Sequence, residues 1–322
     1  MRIRMITPAG PRSRAGNRAS AVRWARMLRD AGHRVVIDTG YRGEPCDLMI
    51  ALHAWRSAPA VERFHAAHPG RPLIVALTGT DIYRFQASDP ETTHRSMRLA
   101  DRLVVLHEAA AHDIPFEHRG KVRPILQSAR PLSRRDTRAR RHFEVCVVGH
   151  LRDEKDPLRA ALAARRLPPD SRIRVVHLGK AHSPDWTAAA REEMAANRRY
   201  VWLGERPHWQ VRRRMGRARV MVLSSRMEGG ANVISEAVVA ALPVIASRIP
   251  GSVGLLGEDY PGYYPIEDDA ALADRLLRAE RDPGFYRALE AGCTARAHLF
   301  TPEREAAGWR ALVDELGNRG RR

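Results

Sequence analysis

Lysine is nearly missing from this chain. Of its 55 basic residues only Lys121, Lys155 and Lys180 are lysines, set against 37 acidic ones, so the net charge of +18 rests on arginine. The arginines are spread along the whole sequence, and aromatic residues make up only 6% of it. Such an even spread is what a compositional bias toward arginine produces. It argues against a single-strand nucleic-acid groove, which needs clustered basic residues interleaved with stacking rings. A chain this basic still favours anionic substrates. Cysteine is scarce too: Cys46, Cys146 and Cys293 are odd in number and far apart, with no Cys-x-x-Cys or Cys/His spacing. That excludes a disulfide scaffold and a zinc finger, and predicts buried thiols in a reducing compartment. Long apolar runs are absent. The longest, residues 237–246, is ten positions long and contains Pro243, against about 20 for a membrane-spanning helix. The first residues enter a strand-like run with no apolar signal segment, so a cytoplasmic location is expected. His53, His107, His112 and His118 are scattered without paired spacing, and no metal site is predicted from them.

What is present is an alternation of short apolar runs with longer amphipathic stretches, over 322 residues of which 44% are hydrophobic. This is the pattern of an α/β protein with parallel sheets, and the length fits two domains. Strands are predicted at residues 2–7, 34–38, 48–52, 73–77 and 102–106, then at 143–148, 173–178, 200–203, 220–224 and 243–246. A first helix is expected over 19–30, with Val22, Ala25, Met27 and Leu28 inward and Gly32 as its C-cap. Residues 131–142, charged and without periodicity, read as a linker. Glu267-Asp268-Asp269 reads as a helix start, and a last helix over 301–316 ends in an Asn-Arg-Gly-Arg-Arg tail.

Three segments carry chemistry. The first runs from Leu223-Ser224-Ser225 through Glu228-Gly229-Gly230 into Ala231-Asn232-Val233 and Glu236. A strand ends at serines, a Gly-Gly turn follows, and a helix opens. The free N–H groups and positive dipole end of such a helix suit a phosphate, and the glycines let the backbone approach it closely. Carboxylates beside phosphate are useful as acceptors from sugar hydroxyls. The second segment is Val148-Gly149-His150-Leu151-Arg152-Asp153-Glu154-Lys155, and the third is the Gly-containing loop of residues 8–18, at the carboxyl edge where open α/β sheets bind ligands.

The spacing Glu228-x7-Glu236, with Gly229-Gly230 between and Glu-Ala-x-x-Ala-x-x-Pro-Val-Ile-Ala-Ser after, closely resembles the nucleotide-sugar site of family-4 glycosyltransferases. The resemblance implies the GT-B fold: two Rossmann-like domains facing a cleft, with the C-terminal helix returning to the N-terminal domain. It implies that Glu236 binds the nucleotide ribose and that Glu228 lies near the donor sugar. Gly229, Gly230, Ala231, Asn232 and Val233 would contact sugar and diphosphate, with Gly16, Asn17 and Gly149 completing the donor site. Residues 148–155 resemble the Gly-Arg-Leu-x-x-Glu-Lys-Gly segment whose cations neutralise the leaving diphosphate. Lys155 matches. His150 stands where the family has arginine and Asp156 where it has glycine, which leaves open whether Arg152 or a protonated His150 gives the second positive charge. Trp202 and Trp209 lie near Gly204, where the family places its uracil-binding edge; core packing is the equal alternative.

Residues 7–18, 51–57 and 76–84 resemble a bacterial branch of the family, the selenosugar synthases of selenoneine biosynthesis, which join a UDP-sugar to selenophosphate. That resemblance implies acceptor binding by Arg12, Arg18, His53, Thr80 and Asp81. The matching loops hold Arg12, Arg14, Arg18, Arg56 and Arg84, as a small trianionic acceptor requires. The expected enzyme is thus a metal-independent transferase using UDP-GlcNAc or UDP-glucose, with no cofactor and no nucleic-acid partner. Its catalytic residues would be Lys155, Arg152, His150 and Glu228. No Asp-x-Asp occurs, which argues against a metal-dependent single-Rossmann transferase. The domains are expected at 1–135 (acceptor), 136–300 (donor) and 301–322 (helix and tail). Rival readings are a family-4 transferase acting on a hydroxyl acceptor and, in another class, a basic nucleic-acid-binding or inactive partner protein. The presence of Glu228, Glu236 and Lys155 disfavours the last.

Overall fold

A computed structural model describes residues 1–13, 15–132 and 141–319, with only the backbone of Asn318 and Arg319. Arg14, most of the expected linker (133–140) and the end of the tail (320–322) lie outside the described residues. The chain divides into two compact units. The first comprises Met1–Ser128, Glu228–Gly230 and the segment from Thr301; the second comprises Ala129–Met227 and Ala231–Phe300.

The first unit is built on β1 (Arg2–Ile6), β2 (Arg34–Asp38), β3 (Leu48–Leu52), β4 (Leu73–Ala76), β5 (Arg102–Val105) and β6 (Val122–Pro124), in the order β2-β1-β3-β4-β5-β6. All its pairs are parallel. Strand β3 shows why the sequence allows no alternation. Leu48, Ile50 and Leu52 feed one core while Met49 and Ala51 feed the other, because successive side chains point to opposite faces and both faces are covered.

The helix Gly16–Asp30 packs on one face with Trp24, Ala25 and Leu28, where it meets Trp309, Leu312, Val313 and Leu316 of the helix Pro302–Arg319. The C-terminal helix therefore does return to the N-terminal unit. Trp24 and Trp309 rings lie 4.7 Å apart. The buried Glu305 carboxylate accepts from Trp24 Nε1 (2.6 Å), Arg23 Nε (2.9 Å) and the Ser128 amide (2.9 Å).

The expectation for the first helix needs two corrections. It begins at Gly16 instead of residue 19, because no Ser, Thr, Asp or Asn side chain caps it at Ala15 and its start carries no sequence signal. Val22 is 48% exposed: the buried face is Ala21, Trp24, Ala25 and Leu28, and position 22 falls off that 3.6-residue stripe. Gly32 does sit in the left-handed region past the helix end, at φ +88°.

The second unit contains β7 (Phe143–Val148), β8 (Ile173–Leu178), β9 (Tyr200–Trp202), β10 (Val220–Leu223), β11 (Val244–Ser247) and β12 (Tyr263–Tyr264), in the order β12-β11-β10-β7-β8-β9 and parallel throughout. Strands β6 and β12 were not predicted; with three and two residues they are too short to show a pattern. Asp268 does cap the helix Asp269–Arg281, accepting from the Ala271 amide. All three cysteines are buried and free. Among the described residues no helix is long and apolar enough to cross a membrane.

Candidate active site

Each sheet has one point where strand order reverses, between β1 and β3 in the first unit and between β7 and β10 in the second. Loops at the carboxyl ends of such neighbours diverge and leave a crevice, which is where open α/β sheets bind ligands. In the second unit both motif segments start there. Gly149 follows β7 and Ser224 follows β10, and Gly149, His150, Lys155, Ser224 and Ser225 line one small cavity of about 10 Å³.

The β7 segment is held by backbone. The Gly149 amide donates to Leu178 O (3.0 Å) and Leu151 to Lys180 O (2.9 Å). A side chain at Gly179 would collide with the Gly149 carbonyl. Beneath it, fully buried His177 bonds Gly149 O through Nε2 and Tyr200 Oη through Nδ1, at 3.0 Å each. Burial pushes its pKa down to about 4.

His150 accepts the Lys180 amide at Nδ1 (3.1 Å) and lies 5.0 Å from the His182 ring. Burial first, and His182 second, lower its pKa to about 4. A neutral His150 with its proton on Nε2 is a hydrogen-bond donor and no cation at neutral pH. Lys155 ends the short turn Asp153–Lys155, which Arg226 ties down through its amide to Glu154 O (2.9 Å) and Nη1 to Asp153 O (2.8 Å). Arg152 Nε is buried without a hydrogen bond among the described residues, 3.9 Å from Glu154 Oε2.

Asp156, where glycine was expected, adopts φ +42° and ψ +60°. Glycine takes this left-handed conformation freely, and aspartate is among the few other residues that visit it. Its carboxylate is also used locally, at 2.7 Å from Arg159 Nε. The departure from glycine preserves the turn.

After β10, Ser225 O accepts from Ser247 Oγ (2.6 Å) and Ser224 Oγ donates to Asp156 O (2.9 Å). Ala231 precedes the helix Asn232–Val239, which has no acidic residue in its first turn and no side-chain cap at Ala231; Asn232 and Val233 lie in that first turn, where backbone amides have no intrahelical acceptor. Glu236 is on the second turn. Its side chain is 17% exposed and meets His208 Nε2 at 2.9 Å, while its carbonyl accepts from Arg212 Nη1 (2.6 Å). The sequence reading missed His208; its placement after Pro207 at a helix start gave no hint of Glu236. Trp202 donates to Gly179 O (2.9 Å), and Trp209 is 62% exposed. Trp202 is only half-buried, so core packing describes neither ring.

In the first unit, Gly16, Asn17 and Arg18 form the first turn of their helix. Arg12 is exposed. His53, Thr80 and Asp81 come together after β3 and β4: His53 Nε2 lies 2.9 Å from Thr80 Oγ1, and His53 Nδ1 lies 3.9 Å from Asp81 Oδ2. Fully buried Asp81 accepts the amides of Ala54 (3.0 Å), Thr78 (2.9 Å), Gly79 (2.7 Å) and Ile82 (3.2 Å). Its carboxylate is spent on the turn. Clustered with this unit, Gly229 meets Gly79 so closely that a side chain on either would strike the other's backbone. Gly79 also has φ +127°, so both positions need glycine. Gly230 lies against Leu106 in the same way.

The sequence pattern of glycosyl transferases group 1 matches residues 130–295, just over half of the chain. The chain belongs to the group 1 glycosyltransferases. Among solved structures, HepE of Anabaena, crystallised with UDP-glucose, superimposes with a TM-score of 0.79 at 16% identity, over 98% of this chain and 100% of that one. Sucrose-phosphate synthase from Thermosynechococcus elongatus gives 0.79 at 17% identity, over 99% and 100%. A glycosyltransferase of Rickettsia africae gives 0.70 at 12% identity, over 98% of each chain. No curated protein matches the chain in sequence. The transferase thus has the GT-B fold, with the family-defining segment covering nearly all of its second unit.

Proposed function

We propose that this transferase is a cytoplasmic, metal-independent selenosugar synthase of selenoneine biosynthesis: it moves a sugar from UDP-glucose or UDP-GlcNAc to selenophosphate. The anomeric C–O bond to UDP breaks with its electron pair on the diphosphate, and a C–Se bond forms. UDP as leaving group is supported by the fold shared with HepE, whose structure holds UDP-glucose. Glu236 would exchange its His208 contact for ribose hydroxyls. Lys155, Arg152 and the first-turn amides at Asn232 and Val233 would stabilise the departing diphosphate. His150 would contribute a neutral N–H, which makes Arg152 the second cation. The cationic set supports turnover without a metal.

One observation carries the anionic acceptor. Arg18 Nε and Nη1 are buried with no hydrogen-bond partner among the described residues, on the first turn of a helix with no acidic residue in that turn and no side-chain cap. Arg18 as a residue is half-buried, but N–H groups shielded from water and left without an acceptor are unfavourable. An anion with several oxygens supplies one and also suits the helix end. The test is mass spectrometry of products from each UDP-sugar, with and without selenophosphate, in EDTA. The expected product is the sugar joined through selenium to phosphate, or the selenosugar left once water cleaves its Se–P bond and releases phosphate, and Arg18→Ala makes it poorly while binding UDP normally. Sugar transfer to a hydroxyl acceptor in preference to selenophosphate would overturn the assignment, and loss of turnover in EDTA that magnesium restores would overturn metal independence.

A further inference from the structure

Asp81, His53 and Thr80 stand in the order of a relay that strips a proton from a hydroxyl: carboxylate, imidazole, side-chain oxygen. The hydrogen bonds run the other way. The Arg56 amide donates to His53 Nδ1 at 3.2 Å, so Nδ1 carries a lone pair and the proton of the neutral ring sits on Nε2. Nε2–H then donates to Thr80 Oγ1 at 2.9 Å. Asp81 does not reverse this. Its nearest oxygen is 3.9 Å from Nδ1, beyond hydrogen-bond range, and its oxygens already accept four backbone amides.

His53 is 2% exposed and burial favours its neutral form over the opposing pull of Asp81; Arg56 acts in the same sense as burial, and the facing Phe85 ring is uncharged. Its backbone is held at φ +75°, a strained value for histidine that persists where the surroundings impose it. A hydroxyl has one proton to give and two lone pairs to fill. With His53 on one lone pair, Thr80 still has its proton, and no other partner for Oγ1 exists among the described residues.

We propose that His53 is a positioning residue that fixes Thr80 as a hydrogen-bond donor to the acceptor, and that this dyad suits a nucleophile that is already ionised. The inference rests on the anionic acceptor proposed above and explains how the acceptor is held. Nε2 already bears a proton and Nδ1 is covered by the Arg56 amide, so neither nitrogen takes a proton from an acceptor without losing a bond it makes. Selenophosphate need surrender none before it reacts: it is already an anion at neutral pH, and selenium attacks while Thr80 keeps its own proton.

The experiment is steady-state kinetics with saturating UDP-sugar and varied selenophosphate or thiophosphate. It compares the parent, Thr80→Val, Thr80→Ser and His53→Gln, with UDP affinity and melting temperature measured in parallel. Thr80→Val is expected to raise the acceptor KM about ten- to a hundredfold, the loss of a hydrogen bond to a charged group, with a much smaller change in kcat. Thr80→Ser, which keeps the hydroxyl, restores most of the loss, and His53→Gln gives a smaller KM rise without altering the shape of the pH profile. An acceptor KM equal in parent and Thr80→Val overturns the proposal. So does a collapse of kcat in His53→Gln at unchanged KM, with loss of an ascending pH limb, which marks a general base. Where His53→Gln does not fold, Thr80→Val decides alone. A parent enzyme that neither binds nor uses either anion defeats the proposed function itself, and this inference with it.

Discussion

Replacing Glu236 tests the donor half of the enzyme most directly. The carboxylate is 17% exposed, so it has lost most of its water, and its present partner is His208 at 2.9 Å, itself 73% exposed. An ion pair with so exposed a partner contributes about 0–1 kcal/mol. Ribose hydroxyls donating to a mostly desolvated carboxylate contribute more, about 1.5–3 kcal/mol. The exchange therefore favours the nucleotide. Glu236→Ala should weaken UDP binding roughly ten- to a hundred-and-fifty-fold. His208→Ala removes only the competitor, and should leave UDP binding unchanged or tighten it by no more than about fivefold. Isothermal titration of UDP into the three proteins reads both effects, with melting temperatures confirming that each is folded. Equal affinity for Glu236→Ala and the parent would refute the ribose placement. A large loss in His208→Ala would show that the histidine contacts the nucleotide and is no competitor.

Two further outcomes follow from burial. Glu305→Ala removes the buried carboxylate that accepts from Arg23, Trp24 and Ser128, leaving the Trp24 and Ser128 donors buried without it; urea unfolding should show the first unit losing about 3–5 kcal/mol, and an unchanged midpoint would contradict the role given to this contact. His107 and His177 are fully buried, and burial holds each near pKa 4 against an ordinary 6.5. The unfolded chain therefore binds more protons between those values, so stability should fall with decreasing pH from 6.5 toward 4, by up to about 1.4 kcal/mol per pH unit for each histidine. Urea melts at pH 7 and pH 5 check this, and His177→Gln should flatten the dependence in the second unit.

Much of the fold was legible because its cause is local. Apolar runs such as residues 48–52 and 143–148 are long enough to be strands buried on both faces. Glu228, Gly229, Gly230 and Glu236 are close in sequence, so their spacing alone carried the family. Asp268 announced its helix by chemistry that acts within three residues.

Other features depend on partners far away in the chain. The start of the first helix has no cap to mark it, and Trp24 and Glu305 find each other across 281 positions. His208 reaches Glu236 only because the helix His208–Arg217 is laid beside the helix Asn232–Val239. Sequence supplied the identities of His53, Thr80 and Asp81. Only the tertiary structure could give the direction of their hydrogen bonds, since which nitrogen of an imidazole holds the proton is decided by the neighbour that already donates to the other.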